Sequence, residues 1–131
     1  MLTARAIMTE EVLTIKSESS IQEAIELLLK ENISGLPVTD QEGQLIGIVT
    51  EFALLAIVYD DKVRQDTIAQ HMTTDVLTAD ADDPLNKVAD HFLVHRVHRV
   101  PVLENGRIVG SIARRDVLKA LYEAQAPICS A

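Results

Sequence analysis

From Ile21 to Leu28 the apolar side chains fall at Ile21, Ala24, Ile25 and Leu28. This is the i, i+3, i+4, i+7 spacing that gathers them on one face of a helix. Ser20 stands where an N-cap belongs, and Glu23 three residues on completes the pattern of a capping box. Short aliphatic and β-branched runs flank this helix and read as strands: "VLTI" before it, "LPVT" and "QLIGIVT" after it. The turn "DQEG" joins the last two as a hairpin, with Gly43 available for a positive-φ position. A second helix is expected over about Glu51–Tyr59. The pattern therefore predicts strand, helix, strand, strand, helix.

The same order is written twice. A shift of 64 positions lays Met8-Thr9 on Met72-Thr73 and Val12-Leu13-Thr14 on Val76-Leu77-Thr78. The helical set Ile21, Ala24, Ile25, Leu28 falls on Leu85, Val88, Ala89, Phe92, and Pro37-Val38 falls on Pro101-Val102. One residue is lost in the turn, so Gly43 and Gly47 meet Gly106 and Gly110 at a shift of 63. In the second copy Asp83 is the expected cap, with Pro84 in the first helical turn, and the closing helix runs about Arg114–Glu123. The repeats are predicted over 5–60 and 71–123, with a polar connector at 61–70 and a C-terminal tail at 124–131. Each repeat is small for independent stability, so the two are expected to pack as a pseudo-two-fold pair of mixed α/β (α+β) units of βαββα order. Their remaining apolar helix faces make a homodimer the expected assembly.

Composition narrows the function. The chain has 131 residues, 47% of them apolar and 24% charged, which suits a globular domain with a sizeable core. Aromatic residues are 3% and Trp is absent, which leaves little for stacking on nucleic-acid bases. A net charge of −8 opposes binding to a polyanion. Between Pro84 and Tyr122, however, seven Lys or Arg stand against three Asp or Glu, a local +4 that leaves −12 elsewhere. A basic region in an acidic chain points to a small anion rather than a nucleic acid. The single cysteine, Cys129, offers neither an internal disulfide nor a metal-finger spacing. The start "MLTARAIMTEE" lacks a signal-peptide pattern and no apolar run reaches membrane-spanning length, so a soluble cytoplasmic protein without a membrane partner is expected.

The ordered set "MT…VLT", amphipathic helix, "PV", Gly-bearing hairpin and "GIVT" or "GSIA" entering a helix resembles the CBS-domain family, as a tandem pair (a Bateman module). The resemblance covers about Arg5–Glu123. It implies a regulatory, signal-transducing module that binds an adenosine-type ligand, such as AMP, ADP or ATP, in a cleft between the repeats. The family's signature is a strand ending G-h-h-[ST]-x-x-D, whose hydroxyl meets phosphate or ribose and whose Asp grips the ribose diol. The first copy reads Gly47-Ile48-Val49-Thr50-Glu51-Phe52-Ala53 and lacks the Asp; the second reads Gly110-Ser111-Ile112-Ala113-Arg114-Arg115-Asp116 and lacks the hydroxyl. A site built around Asp116 is the stronger candidate, since an Ala at 53 supplies no ribose acceptor.

Around Asp116 the resemblance adds the His98-Arg99 pair before the strand for phosphate, and Thr78 and the Val100-Pro101-Val102 main chain around the base; Arg115, next to Asp116, and Ile112 complete the candidate ligand-binding set. Guanidinium groups suit phosphate because they bind it bidentately. A weaker second cleft would use Thr14, Gly35, Leu36, Pro37 and Thr50. Which cleft His98 and Arg99 serve is left open by the sequence.

Other chemistries find less support. His91 and His95 lie four apart on one helix, with His98 nearby, but no further ligand pattern completes a metal site. No nucleophile–base–acid ordering or phosphate-cradling Gly-rich loop is present, so neither an enzyme nor a cofactor is expected. Arg114 reads as a solvated charge, and the Gly residues as hairpin residues. The alternative reading is a ligand-free interaction or dimerisation module, favoured by the two incomplete signatures. With no effector domain recognisable, the protein that would receive the signal is unidentified.

Overall fold

The computed structural model describes residues 2–129, with side chains described through Ala124. Residues up to Val12 join those from Leu77 onward in one compact unit, and residues Leu13–Val76 form the other. The structural units thus do not run in step with the sequence repeats: each takes the Met-Thr segment of the opposite copy.

In the Leu13–Val76 unit, β1 (Ile15–Lys16) pairs in parallel with β2 (Gly35–Thr39), which pairs antiparallel with β3 (Leu45–Thr50). The helix α2 (Ile21–Glu31) crosses between β1 and β2, and α3 (Glu51–Ile57) follows β3. The predicted cap is present: Ser20 Oγ accepts the Glu23 N–H at 3.1 Å. The expected "VLTI" strand shrinks to Ile15–Lys16, because only these residues reach Val38 and Thr39 while Leu13 and Thr14 stay exposed. Ile21, Ala24, Leu28, Leu36, Val38, Val49 and Leu54 are buried around one core. The stretch expected to be a polar connector contributes Ile68, which is fully buried in that core and held by 3-10 turns at Val63–Gln65 and Ile68–Gln70. His71, which the alignment matches to Ile7, sits 2.7 Å from the Asp66 carboxylate.

The other unit opens with α1 (Ala4–Ile7), a four-residue turn that the periodicity did not predict. Its main chain docks through Ala4 N–H to Asp83 O at 2.8 Å and Arg5 N–H to Ala81 O at 3.0 Å, and Ala4 is fully buried. The Arg5 guanidinium bonds Glu104, which with that carboxylate's charge and those of Asp82 and Asp80 raises its pKa above the ordinary value. Then β4 (Ala79–Asp80) pairs in parallel with β5 (Arg99–Glu104), and β5 pairs antiparallel with β6 (Arg107–Ala113). The helix α4 (Leu85–His95) lies between β4 and β5, and α5 (Arg114–Cys129) follows β6. The cap of α4 is Pro84 and not Asp83, because the Asp83 carboxylate is turned to the Asp80 N–H at 2.9 Å and to Lys87 Nζ at 3.2 Å. Asn105 and Gly106, at φ 56° and 79°, close the β5–β6 hairpin as a two-residue turn with both φ positive. Helix α5 runs past Glu123 through Ala124, Gln125 and Ala126, good helix formers, into the expected tail; residues 130 and 131 lie outside the described part.

Gly47 and Gly110 are not hairpin residues, as the sequence reading has them. Each sits mid-strand where the Met-Thr segment crosses: Thr73 bridges to Ile48, and Thr9 to Ser111. A β-carbon on Gly47 would lie 2.6 Å from Met72 Sδ and 2.9 Å from Thr73 O. One on Gly110 would lie 2.8 Å from Met8 Cγ and 3.0 Å from Thr9 O. The Met-Thr motif and the Gly of "GIVT" or "GSIA" are therefore two halves of one contact. Among the described residues, no helix is long and apolar enough to cross a membrane.

Candidate functional site

The strongest cluster forms where β6 passes into α5. Register places Arg99 opposite Ala113, Val100 opposite Ile112 and Pro101 opposite Ser111. His98 is tied to the start of α5 twice: the Arg114 N–H donates to His98 O at 3.0 Å, and Arg114 Nη2 donates to His98 Nδ1 at 2.8 Å. Arg has no acceptor, so in this bond the guanidinium is the donor and Nδ1 the acceptor. Arg99 Nη1 donates to Ser111 Oγ at 3.2 Å, and Ser111 is buried. Thus His98, Arg99, Ser111, Ala113, Arg114 and Asp116 share one corner of the unit.

Asp116 is the third residue of α5, and its Oδ2 accepts the Ala113 N–H at 2.8 Å. This is the return half of a capping box, in which the residue three into the helix bonds the N–H of the residue before it. In the other unit Thr50 Oγ1 accepts the Ala53 N–H at 3.2 Å, the forward half. The two departures from the signature thus have a common meaning. Thr-x-x-Asp makes both bonds of the box; Thr50-x-x-Ala53 keeps one, Ala113-x-x-Asp116 the other. Asp116 spends one oxygen on its own helix, and a carboxylate with about four lone-pair sites has the second left over.

The remaining candidates divide by burial. Val100, Pro101 and Ile112 are buried in β5 and β6, and the side chains of Val100 and Ile112 belong to the core, which leaves their main chains to meet a ligand. Thr78 is half-buried just ahead of β4, on the side of β5 away from β6, and Arg115 is exposed on the first turn of α5. In the Leu13–Val76 unit Thr14 is exposed, Gly35 pairs with Thr50, Pro37 is half-buried and Leu36 is fully buried. Where the first cluster has Arg99 facing Ser111, this unit has Gly35 and Ile48, and the charged layer is missing.

Two participants escaped the sequence reading. Arg114 is the partner of His98 rather than only a solvated charge. Ser111 holds Arg99, and its signal was present: it replaces Ile48 in an otherwise matched apolar skeleton. Among the described residues no group of three or more His, Cys, Asp or Glu is placed to hold a metal ion.

Two small sheets of mixed parallel and antiparallel order, each with a helix running into the signature strand's end, define a duplicated α/β module. The CBS domain model matches residues 4–60 and 66–123, and the chain belongs to the CBS-domain family as a tandem pair. The solved structure of CBSX2 in complex with AMP matches 95% of this chain and 99% of its own, at 26% identity and a TM-score of 0.84. The CBS domain pair of protein MJ0100, in complex with 5′-methylthioadenosine and S-adenosyl-L-methionine, matches 95% of this chain and 98% of its own, at 30% identity and a TM-score of 0.78. In sequence, the chain is 36% identical over 89% of its length to an uncharacterized protein of Methanocaldococcus jannaschii, and spans 42% of that protein. It is 33% identical over 94% of its length to the inosine-5′-monophosphate dehydrogenase of the same organism, spanning 24% of that enzyme. The chain therefore spans less than half the length of these curated relatives.

Proposed function

We propose that this chain is a regulatory module that binds an adenine nucleotide or a related adenosyl ligand at the start of α5. The observation that carries this reading is Asp116, whose Oδ2 is anchored to the Ala113 main chain while its other oxygen is available to a ribose diol. Arg99, Arg115 and the His98–Arg114 pair surround it with cationic and N–H donors suited to phosphate. Thr78 and the main chains of Val100, Pro101 and Ile112 would border the base. The adenosine-type ligands held by CBSX2 and the MJ0100 pair support the ligand class. Thr14, Gly35, Leu36, Pro37 and Thr50 would form a weaker second site, because no acid there grips the ribose.

On this reading the chain carries no catalysis and works in the cytoplasm. It signals by binding its ligand with different affinity in two arrangements, which an effector protein reads. A second copy of the chain is its nearest partner, since each unit leaves an apolar helix face exposed. The competing reading is a dimerisation module without a ligand. It is favoured by the absent hydroxyl at Ala113 and by the capping duty of Asp116. A thermal-shift panel with AMP, ADP, ATP, S-adenosylmethionine and inorganic phosphate separates the two. At a concentration 100 times Kd a ligand adds about 2.7 kcal/mol of stability. A melting shift with at least one adenosyl compound is expected, and no shift with any at millimolar concentration would leave only the dimerisation reading.

A further inference from the structure

Ser111 breaks the apolar pattern of β6 at one point. It is 4% exposed, stands beside the fully buried Ile112, and is matched in the other repeat by Ile48. Its main chain is clamped twice: the Ser111 N–H donates to Thr9 O at 2.9 Å, and the Thr9 N–H donates to Ser111 O at 2.8 Å. The hydroxyl therefore stands at a fixed point, and there it meets Arg99, whose Nη1 donates to Oγ at 3.2 Å. These two departures from the repeat come as a pair. Arg99 falls on Gly35 and Ser111 on Ile48, and Ile48 Cδ1 lies 3.8 Å from where a β-carbon on Gly35 would stand. One unit fills this space with an apolar side chain; the other fills it with a guanidinium and supplies a hydroxyl to hold it.

A neutral anchor and an acidic one differ in what they leave for a ligand. A carboxylate would hold Arg99 and cancel its charge; a hydroxyl holds it and leaves the charge to be used. Among the described residues, the ion pairs of arginine and lysine involve Arg5, Arg64 and Lys87, whereas Arg99, Arg114 and Arg115 form none. Arg114 is held in the same manner, by His98 Nδ1 and not by a carboxylate. Asp116 sets one acid beside these three guanidinium groups, so the balance at the corner stays positive. Such a field favours an anion at close range and disfavours a cation.

We infer that Ser111 is a positioning residue for Arg99, and that the pair makes this corner select adenosyl ligands that carry phosphate over those that do not. This selectivity rests on the adenosyl reading proposed above and sharpens it. AMP brings an anion to the guanidinium, and adenosine brings none. S-adenosylmethionine brings sulfonium and ammonium cations against a single carboxylate. A guanidinium already ordered by a hydroxyl gives up less side-chain freedom on binding, which is how Ser111 adds to affinity without touching the ligand.

Calorimetric titration of the full chain with AMP, adenosine and S-adenosylmethionine tests both parts. Wild type should bind AMP at least about tenfold more tightly than either of the others. Ser111→Ala removes only the hydroxyl; it should weaken AMP about fivefold and leave adenosine within about twofold. In an Arg99→Ala background, Ser111→Ala should weaken AMP no further, because an effect carried by Arg99 disappears with it. Adenosine or S-adenosylmethionine bound as tightly as AMP would overturn the selectivity and leave the adenosyl reading standing. Equal weakening of AMP and adenosine by Ser111→Ala, or the same loss of AMP affinity with Arg99 already removed, would overturn the positioning role. Binding of none of the three would end the adenosyl reading itself, and the selectivity with it.

Discussion

Thr50 and Ala113 hold the same position in their repeats, just ahead of a helix, and leave opposite halves of one capping box. Thr50→Ala removes the bond to the Ala53 N–H and should cost about 1 kcal/mol, read from the urea midpoint at unchanged slope. Ala113→Thr restores the missing half beside Asp116 and should add about 1 kcal/mol by the same measurement. If the adenosyl reading holds, Ala113→Thr also tightens the ligand, since it returns a hydroxyl to the strand end. Asp116→Asn keeps an oxygen for the Ala113 N–H while removing the charge, so folding should survive it better than Asp116→Ala. These side chains were legible as candidates because the repeat sets them side by side. Their capping bonds were not, because a signature that grips a diol and one that caps a helix are spelled with the same residue types.

At the scale of elements, the hairpins and the one-faced helix α2 follow from turn chemistry and apolar spacing, down to the Ser20 cap. The strands β1 and β4 shrank to two residues each because aliphatic residues alone do not make a ladder; a partner strand must lie within reach. The role of Gly110 was invisible for a related reason: its neighbour Met8 is about a hundred positions away in sequence. Gly110→Ala pushes a β-carbon against Thr9 O and Met8 and should destabilise by about 1–3 kcal/mol in thermal or urea unfolding. Gly35→Ala is the matching control: its nearest neighbour, Val49 O, is at 3.5 Å, ordinary contact distance, and the expected loss is under about 1 kcal/mol.

For the whole molecule, the exchange of Met-Thr segments makes the N-terminus part of the unit that the chain completes last. Deleting residues 2–9 removes buried Ala4 and the main-chain bonds of Ala4, Arg5 and Thr9. Amide exchange should then quicken in β5 and β6 far more than in β2 and β3, with a loss of about 2–4 kcal/mol in that unit. Uniform loss in both units would contradict the assignment of the segment. The duplication was readable from residue identities, but this exchange was not, because repeat boundaries in sequence carry no record of which copy a leading segment packs on. The central claim is narrower, a ligand-binding corner at His98, Arg99 and Asp116, and calorimetric titration with AMP tests it most directly. The account predicts saturable binding to wild type and an affinity at least about tenfold weaker in Arg99→Ala/Asp116→Ala, since each bond to a charged group contributes about 1.5–3 kcal/mol. Equal affinity in wild type and the double variant would place the ligand elsewhere and contradict the account.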